Sequence, residues 1–310
     1  MLPTNTIETL QPVLDWLHQL ALGETLEIVI VLPETESLPD WLLDQADGIR
    51  VRRVPSIYPL SLARVAGIEA ATAPFVFMGE THSFPHPGMF EALLERHSAG
   101  ATVVVPVFEN ANPIGPVSWA GFLNGYAEWT EGVSAHELRY APIFNASYLR
   151  SFLIGLGDDL EHSLTPGGDM MAKLRAAGGS VWIEPKARIE HWNIARLRDW
   201  LPQRLAAGRV IGSLRSRHWP HARRLAFAIG APLIPVVLFA RIRKGVMRAI
   251  YMNGVPLRVL PTLALGMMVQ AIGELIGYAA GASARGYRRY DEYEVHQLSF
   301  SNWRRFPAKG

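Results

Sequence analysis

The chain contains no cysteine, which rules out disulfides, thiolate metal sites and cysteine nucleophiles. With it goes any compositional argument for secretion. The first residues show no basic segment followed by a short apolar run, so no signal peptide is expected and a cytosolic location is the default. Residues 2–6 hold neither glycine nor lysine, which argues against the Gly-rich phosphate loop of a nucleotidyltransferase near a first strand. Acids are missing over a long stretch: positions 200 to 273 carry eleven Lys/Arg and no Asp or Glu. Internal repeats and low-complexity segments are absent as well.

What is present is oily and polarised. Hydrophobic residues make up 49% and charged residues 19% of the 310, and the mean hydropathy is +0.10. That is rich in apolar residues for a soluble enzyme but too polar for a multi-span membrane protein. The net charge of +2 conceals two opposite halves. Residues 1–200 hold 13 Lys/Arg against 24 Asp/Glu, a balance of −11, whereas residues 201–310 hold 17 against 4, a balance of +13. A basic tail interleaved with long apolar runs fits an anionic membrane surface better than nucleic acid, and no nucleic-acid partner is expected.

Hydrophobic periodicity gives the organisation. Asn5 and Glu8 have the spacing of a capping box, and Ile7, Leu10, Val13, Leu14, Leu17 and Leu20 then recur at helical spacing. Residues 26–32 form a short β-branched run, read as a buried parallel strand, while Ile49–Val54 alternates as a strand nearer the sheet edge would. A helix over 62–71, a strand over 75–78, a helix after Pro85 and Pro87, and a strand over 101–107 follow. Later come a helix over 169–177, a strand over 180–183 and a helix beyond Asn193. Helix and strand alternate in the rhythm of a doubly wound, mostly parallel α/β sheet.

In such sheets ligands gather where strands end. The 75–78 strand runs into Glu80, Thr81 and His82, and two such side chains, two residues apart on extended backbone, can face one cation. A carboxylate with an imidazole suits Mn²⁺ better than Mg²⁺, which prefers an all-oxygen shell; an ordinary polar loop is the plain alternative. His191 follows the 180–183 strand after a short connection, as a metal ligand or a structural histidine. Asp169 opens a helix, where a carboxylate is favoured as a cap.

The order and spacing of these pieces resemble family-2 nucleotide-sugar glycosyltransferases across residues 2–200. Residues 2–5, Leu-Pro-Thr-Asn, resemble the end of that family's first strand, here almost absent. Residues 62–68 resemble its Ala-Arg-Asn-x-Gly helix. Glu80-Thr81-His82, followed by Pro85 and Pro87-Gly88, falls where the family has an Asp-x-Asp metal motif. Residues 142–148, with Asn145 and Ser147, resemble the acceptor-side segment, and Gly168-Asp169 stands at the family's Glu-Asp pair. Two further departures accompany the shortened strand. Leu32-Pro33 replaces an acidic pair that contacts the nucleotide, and Glu-x-His replaces Asp-x-Asp.

The resemblance implies a GT-A-like domain over residues 1–208 and an inverting transfer from a nucleotide-diphosphate sugar to an acceptor hydroxyl. It implies Asp169 as the base and a divalent cation, Mn²⁺ rather than Mg²⁺, on Glu80, His82 and His191. Pro3, Thr4, Arg64 and Glu80 would meet the donor. Trp119 would stack on a sugar, with a buried core tryptophan as the alternative, and Asn145 and Ser147 would line the acceptor side. A catalytically silent relative acting as a membrane-bound scaffold is the competing expectation, carried by the altered metal motif.

Residues 209–310 read as an apolar, basic, helical membrane-associating region with a tail. The run 225–240 spans about 24 Å as a helix, short of a hydrocarbon core of about 30 Å, and contains Pro232 and Pro235. The run 259–280 is long enough to cross but contains Pro261, Gln270 and Glu274. A hairpin of the two would leave Arg241, Arg243, Lys244, Arg248 and Arg258 outside, against the positive-inside tendency. Helices lying on the cytoplasmic face of the inner membrane are therefore expected rather than spans, with a glycan or lipid-linked acceptor. The residues around Tyr287 to Tyr290 are expected as a surface tail.

Overall fold

Continuously buried, β-branched runs build the centres of the sheets. The computed structural model describes residues 1–20, 26–40, 42 and 48–303. Its elements begin β1 Leu2–Pro3, α1 Ile7–Gln19, β2 Ile28–Pro33, β3 Ile49–Val54, α2 Leu60–Ala70, β4 Phe75–Phe77, β5 Ser83–Pro85 and α3 Met89–Ser98. They continue with β6 Val103–Asn110, α4 Gly115–Tyr126, β7 His136–Glu137, β8 Ser147–Leu149, α5 Met170–Ala176 and β9 Val181–His191. The last five are α6 Leu197–Arg215, α7 His221–Gly230, α8 Ile234–Met252, α9 Val259–Ala280 and α10 Ala284–Val295. Short helical turns separate some of these.

The chain divides into two compact units. One comprises residues 1–107, 134–165 and 169–190, the other residues 108–133, 166–168 and 191 onward. Position 208, the expected end of the first domain, lies within α6.

In the first unit β1, β2 and β3 form a parallel sheet in that order. The middle strand, β2, is buried over Val29 to Leu32, whereas β3 turns Arg50 outward at the edge. A second sheet has the order β4-β8-β6-β9-β5, with β7 on β9. Met1 stitches the two together: its nitrogen donates to Phe77 O and its carbonyl accepts from Gly79 N, each at 3.0 Å. That pattern is a parallel bridge, so the carboxyl ends of β1 and β4 come out side by side. The second sheet is mixed, not mostly parallel, because β8 runs antiparallel to both β4 and β6.

Three local expectations change. The cap of α1 is Thr6 rather than Asn5, its hydroxyl accepting from Thr9 N at 3.3 Å, because Ile7 N is taken by Glu36 Oε1 at 3.0 Å. Strand β9 runs eleven residues to His191, so no connection intervenes before that histidine. The supposed tail around Tyr287 is helix α10, held by Tyr290 in a cluster with Ala207 and Val210 and by a 2.9 Å bond between Tyr287 and Ser213 hydroxyls.

The second unit rests on α6 against α9. Gly208 and Gly212 of α6 face Gly273 and Gly277 of α9, and a Cβ on any of them would strike the partner helix's backbone. The helices therefore meet backbone to backbone. The polar residues of α9 face the same way. Glu274, 2% exposed, accepts from Arg215 Nη1 at 3.1 Å and Tyr278 OH at 3.0 Å, and Gln270 accepts from Arg204 Nη1 at 3.3 Å. Burial lowers the pKa of Arg204, opposed by the fields of Tyr290 and Glu294. By length and composition two helical stretches, His221–Met252 and Val259–Ala280, could cross a membrane.

Adding a side chain at the α6–α9 contact forces the helices apart. Gly277→Val should lower stability by about 1–3 kcal/mol, the usual cost of overpacking. Gly125→Ala, on the exposed side of α4 with nothing within 4 Å, should be neutral or slightly stabilising. Thermal denaturation of the two variants checks the contrast.

Candidate functional site

Strand β4 stops after Phe77, and the chain turns through Gly79 into a group of buried polar residues. Glu80, His82, Ser83 and Asn145 are each less than 8% exposed. They converge on one oxygen. Glu80 Oε2 accepts from Asn145 Nδ2 at 2.6 Å and Ser83 Oγ at 3.3 Å, and lies 3.3 Å from His82 Nε2. Asn145 Nδ2 also donates to Ser83 Oγ at 2.9 Å. A carboxylate taken out of water needs such donors to remain charged.

Asn145 carries backbone strain to reach this place. Its φ is +52°, the left-handed region that non-glycine residues rarely occupy. Its own N–H donates to Met78 O at 2.7 Å, and Met78 N donates to Ala146 O at 3.1 Å. The two bonds clamp the 145–146 segment beside the end of β4 and aim the amide at Glu80. Left-handed residues held this firmly concentrate at functional sites.

Other expected site residues fall around this centre or apart from it. Thr4, fully buried at the end of β1, donates its N–H to Val31 O at 3.0 Å and its hydroxyl to Thr6 O at 2.8 Å. Pro3, just before it, ends β1 beside β2. Arg64 of α2 is 5% exposed, with its guanidinium 3.9 Å above the ring of Phe144. Ser147 is buried within β8, its hydroxyl 2.8 Å from Nε2 of the buried His97. Desolvation holds the His97 pKa below its ordinary value, against the Ala101 carbonyl contact that raises it.

Asp169 stands at the N-cap position of α5, but its carboxylate does not cap the helix. It accepts from Ser163 Oγ at 2.9 Å and pairs with Lys173 Nζ at 3.3 Å, and Lys173 also reaches Asp159 at 2.9 Å. Partial burial pushes its pKa up; the Ser163 bond and the Lys173 ammonium outweigh that and hold it below the ordinary aspartate value. With its side chain 42% exposed, the carboxylate is ionised at neutral pH and open to solvent.

In the second unit His191 ends β9. Its Nδ1 lies 3.0 Å from Asn193 Oδ1, and Asn193 Nδ2 donates to Asn110 Oδ1 at 3.0 Å and to His191 O at 2.9 Å. Those two donations fix the orientation of the Asn193 amide, so Oδ1 is the acceptor and His191 Nδ1 carries the proton. A histidine Nδ1 held by a neighbouring side chain is the arrangement that second-shell partners impose on metal-binding histidines. Tyr126 packs on the ring at 4.6 Å. Trp119 is half-buried on α4 and meets Phe122 edge-on at 5.8 Å, so it is no core tryptophan.

Glu80 Oε2 and His82 Nε2, 3.3 Å apart, have the separation of two donors on one ion, and the acid–imidazole set suits Mn²⁺. An apolar cavity of about 490 Å³ is lined by Val13, Leu17, Ile28, Phe75 and Phe90, and reaches Glu80 and Ser83. Its lining includes Glu27, Glu80 and Glu91 but no lysine, arginine or histidine, which disqualifies it as a diphosphate site.

Among solved structures the chain is similar to mannosyltransferase PcManGT from Pyrobaculum calidifontis in complex with GDP-Man and Mn²⁺. The match covers 88% of this chain and 85% of that one, at 15% identity and a TM-score of 0.54. The two share a fold. Weaker likenesses reach S. aureus TarS residues 1–349 (15% identity, 96% and 89% covered, TM-score 0.47) and GalNAc-T7 with UDP, GalNAc and Mn²⁺ (13%, TM-score 0.46). The chain covers 61% of its own length but only 42% of the GalNAc-T7 chain in that last match. No family model and no curated protein sequence matches.

Sequence reasoning put Asn145 on the acceptor side and missed its hold on Glu80. It also missed Ser83, Ser163 and Lys173, since none of these carries a spacing signal. Asn145→Asp tests the hold. It replaces a donor with a second acid against Glu80, and should cost about 1–3 kcal/mol at neutral pH, recovering as acid protonates the pair. Urea denaturation across pH reads this, and a pH-independent loss would show that the carboxylate contact is not the cause.

Proposed function

We propose that the chain is an inverting glycosyltransferase that moves a sugar from a nucleotide-diphosphate donor to an acceptor hydroxyl. The observation that supports this most directly is the buried Glu80–His82–Asn145 group at the end of β4, on a fold shared with a GDP-Man-bound mannosyltransferase. Strand ends of adjacent parallel strands are where α/β sheets place ligands.

Glu80 and His82 would hold the divalent cation, Mn²⁺ rather than Mg²⁺, through one carboxylate oxygen and one imidazole nitrogen. When bound, the ion neutralises charge on the departing diphosphate. Asn145 and Ser83 keep the Glu80 carboxylate turned and charged. Pro3 and Thr4 border the donor. Arg64, stacked on Phe144, brings a guanidinium toward the phosphates.

Asp169 is the base in this reading. Its carboxylate takes the proton of the acceptor hydroxyl as that oxygen bonds to the anomeric carbon. The bond from that carbon to the diphosphate breaks on the opposite side, and the diphosphate leaves with the electron pair. The depressed pKa keeps Asp169 ionised, and Lys173 steadies its position. Trp119 stacks on a sugar, and the acceptor is a membrane-anchored glycan or lipid presented at the cytoplasmic face of the inner membrane.

Asp169→Asn should abolish turnover while nucleotide binding persists; joint loss of both in a folded variant would remove Asp169 from the chemistry. The pH dependence follows from the same contacts. A carboxyl held low in the folded state contributes stability present above its unfolded pKa and lost as pH falls through the folded value. Ser163→Ala should move the carboxyl upward, shifting the acid limb of activity and the Asp169 carboxyl titration, followed by NMR, in the same direction.

A further inference from the structure

Helices α7 and α8 expose an apolar surface that the folded unit leaves uncovered. Leu225, Ile229, Leu233, Val236, Val237 and Phe239 are each 40% exposed or more, with Ile229 at 71%. Monomeric proteins rarely leave so contiguous an apolar patch to water. On α8 the exposed positions 236, 240, 243, 247 and 251 recur at helical spacing, and they read Val, Ala, Arg, Met and Tyr. Arg243 thus lies on the apolar face, with the exposed Lys244 next to it and Tyr251, 79% exposed, one turn beyond Met247.

The opposite faces are occupied by protein. Ile242, Gly245, Val246 and Ala249 of α8 are buried, with Gly245 against the backbone of Ala127. From α7, Arg224 Nε donates to Tyr278 O of α9 at 2.9 Å, and Phe227 packs on Tyr278 at 5.7 Å. Helices gripped along one side by their own unit cannot be surrounded by lipid. Helix α9 is held likewise, its Gln270 and Glu274 satisfied by Arg204 and Arg215.

We propose that the face from Leu225 through Tyr251 lies in the plane of an anionic bilayer surface, its apolar side chains among the acyl chains and Arg243 and Lys244 on lipid phosphates. This deepens the membrane part of the functional reading above and is independent of the transfer chemistry. Charge selects the bilayer over a second copy of the chain. A two-fold contact through this face would bring two basic surfaces together, and residues 200–273 hold no acid to compensate. Basic side chains beside an apolar helical face, with an aromatic at its end, match an interfacial helix.

Flotation of the full chain with vesicles tests this. Vesicles of phosphatidylcholine with one-third phosphatidylglycerol should capture the protein about tenfold better than phosphatidylcholine alone. Ile229→Glu with Val236→Glu, both at exposed positions, should abolish capture by either, whereas Arg243→Glu with Lys244→Glu should abolish only the preference. Because the chain has no cysteine, a fluorophore on Ile229→Cys or on Val236→Cys reports depth without background. Equal shallow depths are expected; a difference near 10 Å, the rise of seven helical residues, would mean a span and overturn the in-plane placement. Self-association with no vesicle capture would overturn the proposal in favour of a second copy. Nucleotide titration is read separately, so a protein that floats but binds no nucleotide refutes the transferase reading and leaves this one standing.

Discussion

A carboxylate buried at the end of β4 constrains more of the first unit than any other single group. Glu80 is 7% exposed, and an unpaired charge there would cost several kcal/mol. Its compensation comes from Asn145 and Ser83, with the His82 imidazole alongside. Asn145 reaches it only from a left-handed backbone, which the bonds between Met78 and the 145–146 segment enforce. Those bonds in turn continue the antiparallel pairing of β4 with β8. Strand order, backbone strain and site chemistry are therefore one requirement seen at three scales.

The second unit answers a different constraint. Its long apolar helices carry polar residues that must be satisfied, and the glycine contact lets α6 and α9 approach closely enough to do so. Glu274 then finds Arg215 and Tyr278. Among the described residues an apolar face of α7 and α8 stays uncovered, and it borders basic residues. In the function proposed above, an Asp169 base and a lipid-binding face would be complementary parts of a transferase whose acceptor is anchored.

Much of this was legible in the sequence because it depends on periodicity. The continuous apolar run of β2, the alternation of β3 at the sheet edge, and the limits of α9 at Val259 and Ala280 all follow from the pattern of apolar residues. Gly273 with Gly277 and Gly208 with Gly212 share one four-residue spacing, but nothing in the sequence says that the two pairs meet. What escaped depends on contacts between distant segments. The antiparallel placement of β8 reverses the expected sheet, yet three residues carry no mark of direction. The capping of α1 moved from Asn5 to Thr6 because Glu36, thirty residues on, claims the Ile7 N–H. Nothing in the spacing around Arg64 shows that Phe144 lies under its guanidinium. Tyr290 sits in a basic, polar stretch that resembles a tail, and only its packing on Ala207 and Val210 makes it part of a helix core.

The most direct test of the account is calorimetric titration of the full chain with a panel of nucleoside diphosphates, with and without Mn²⁺. The account predicts binding of one diphosphate that strengthens with Mn²⁺ and is lost in Glu80→Ala and His82→Ala variants that remain folded. Absence of nucleotide binding by the folded protein, or binding indifferent to both Mn²⁺ and those two side chains, would contradict it.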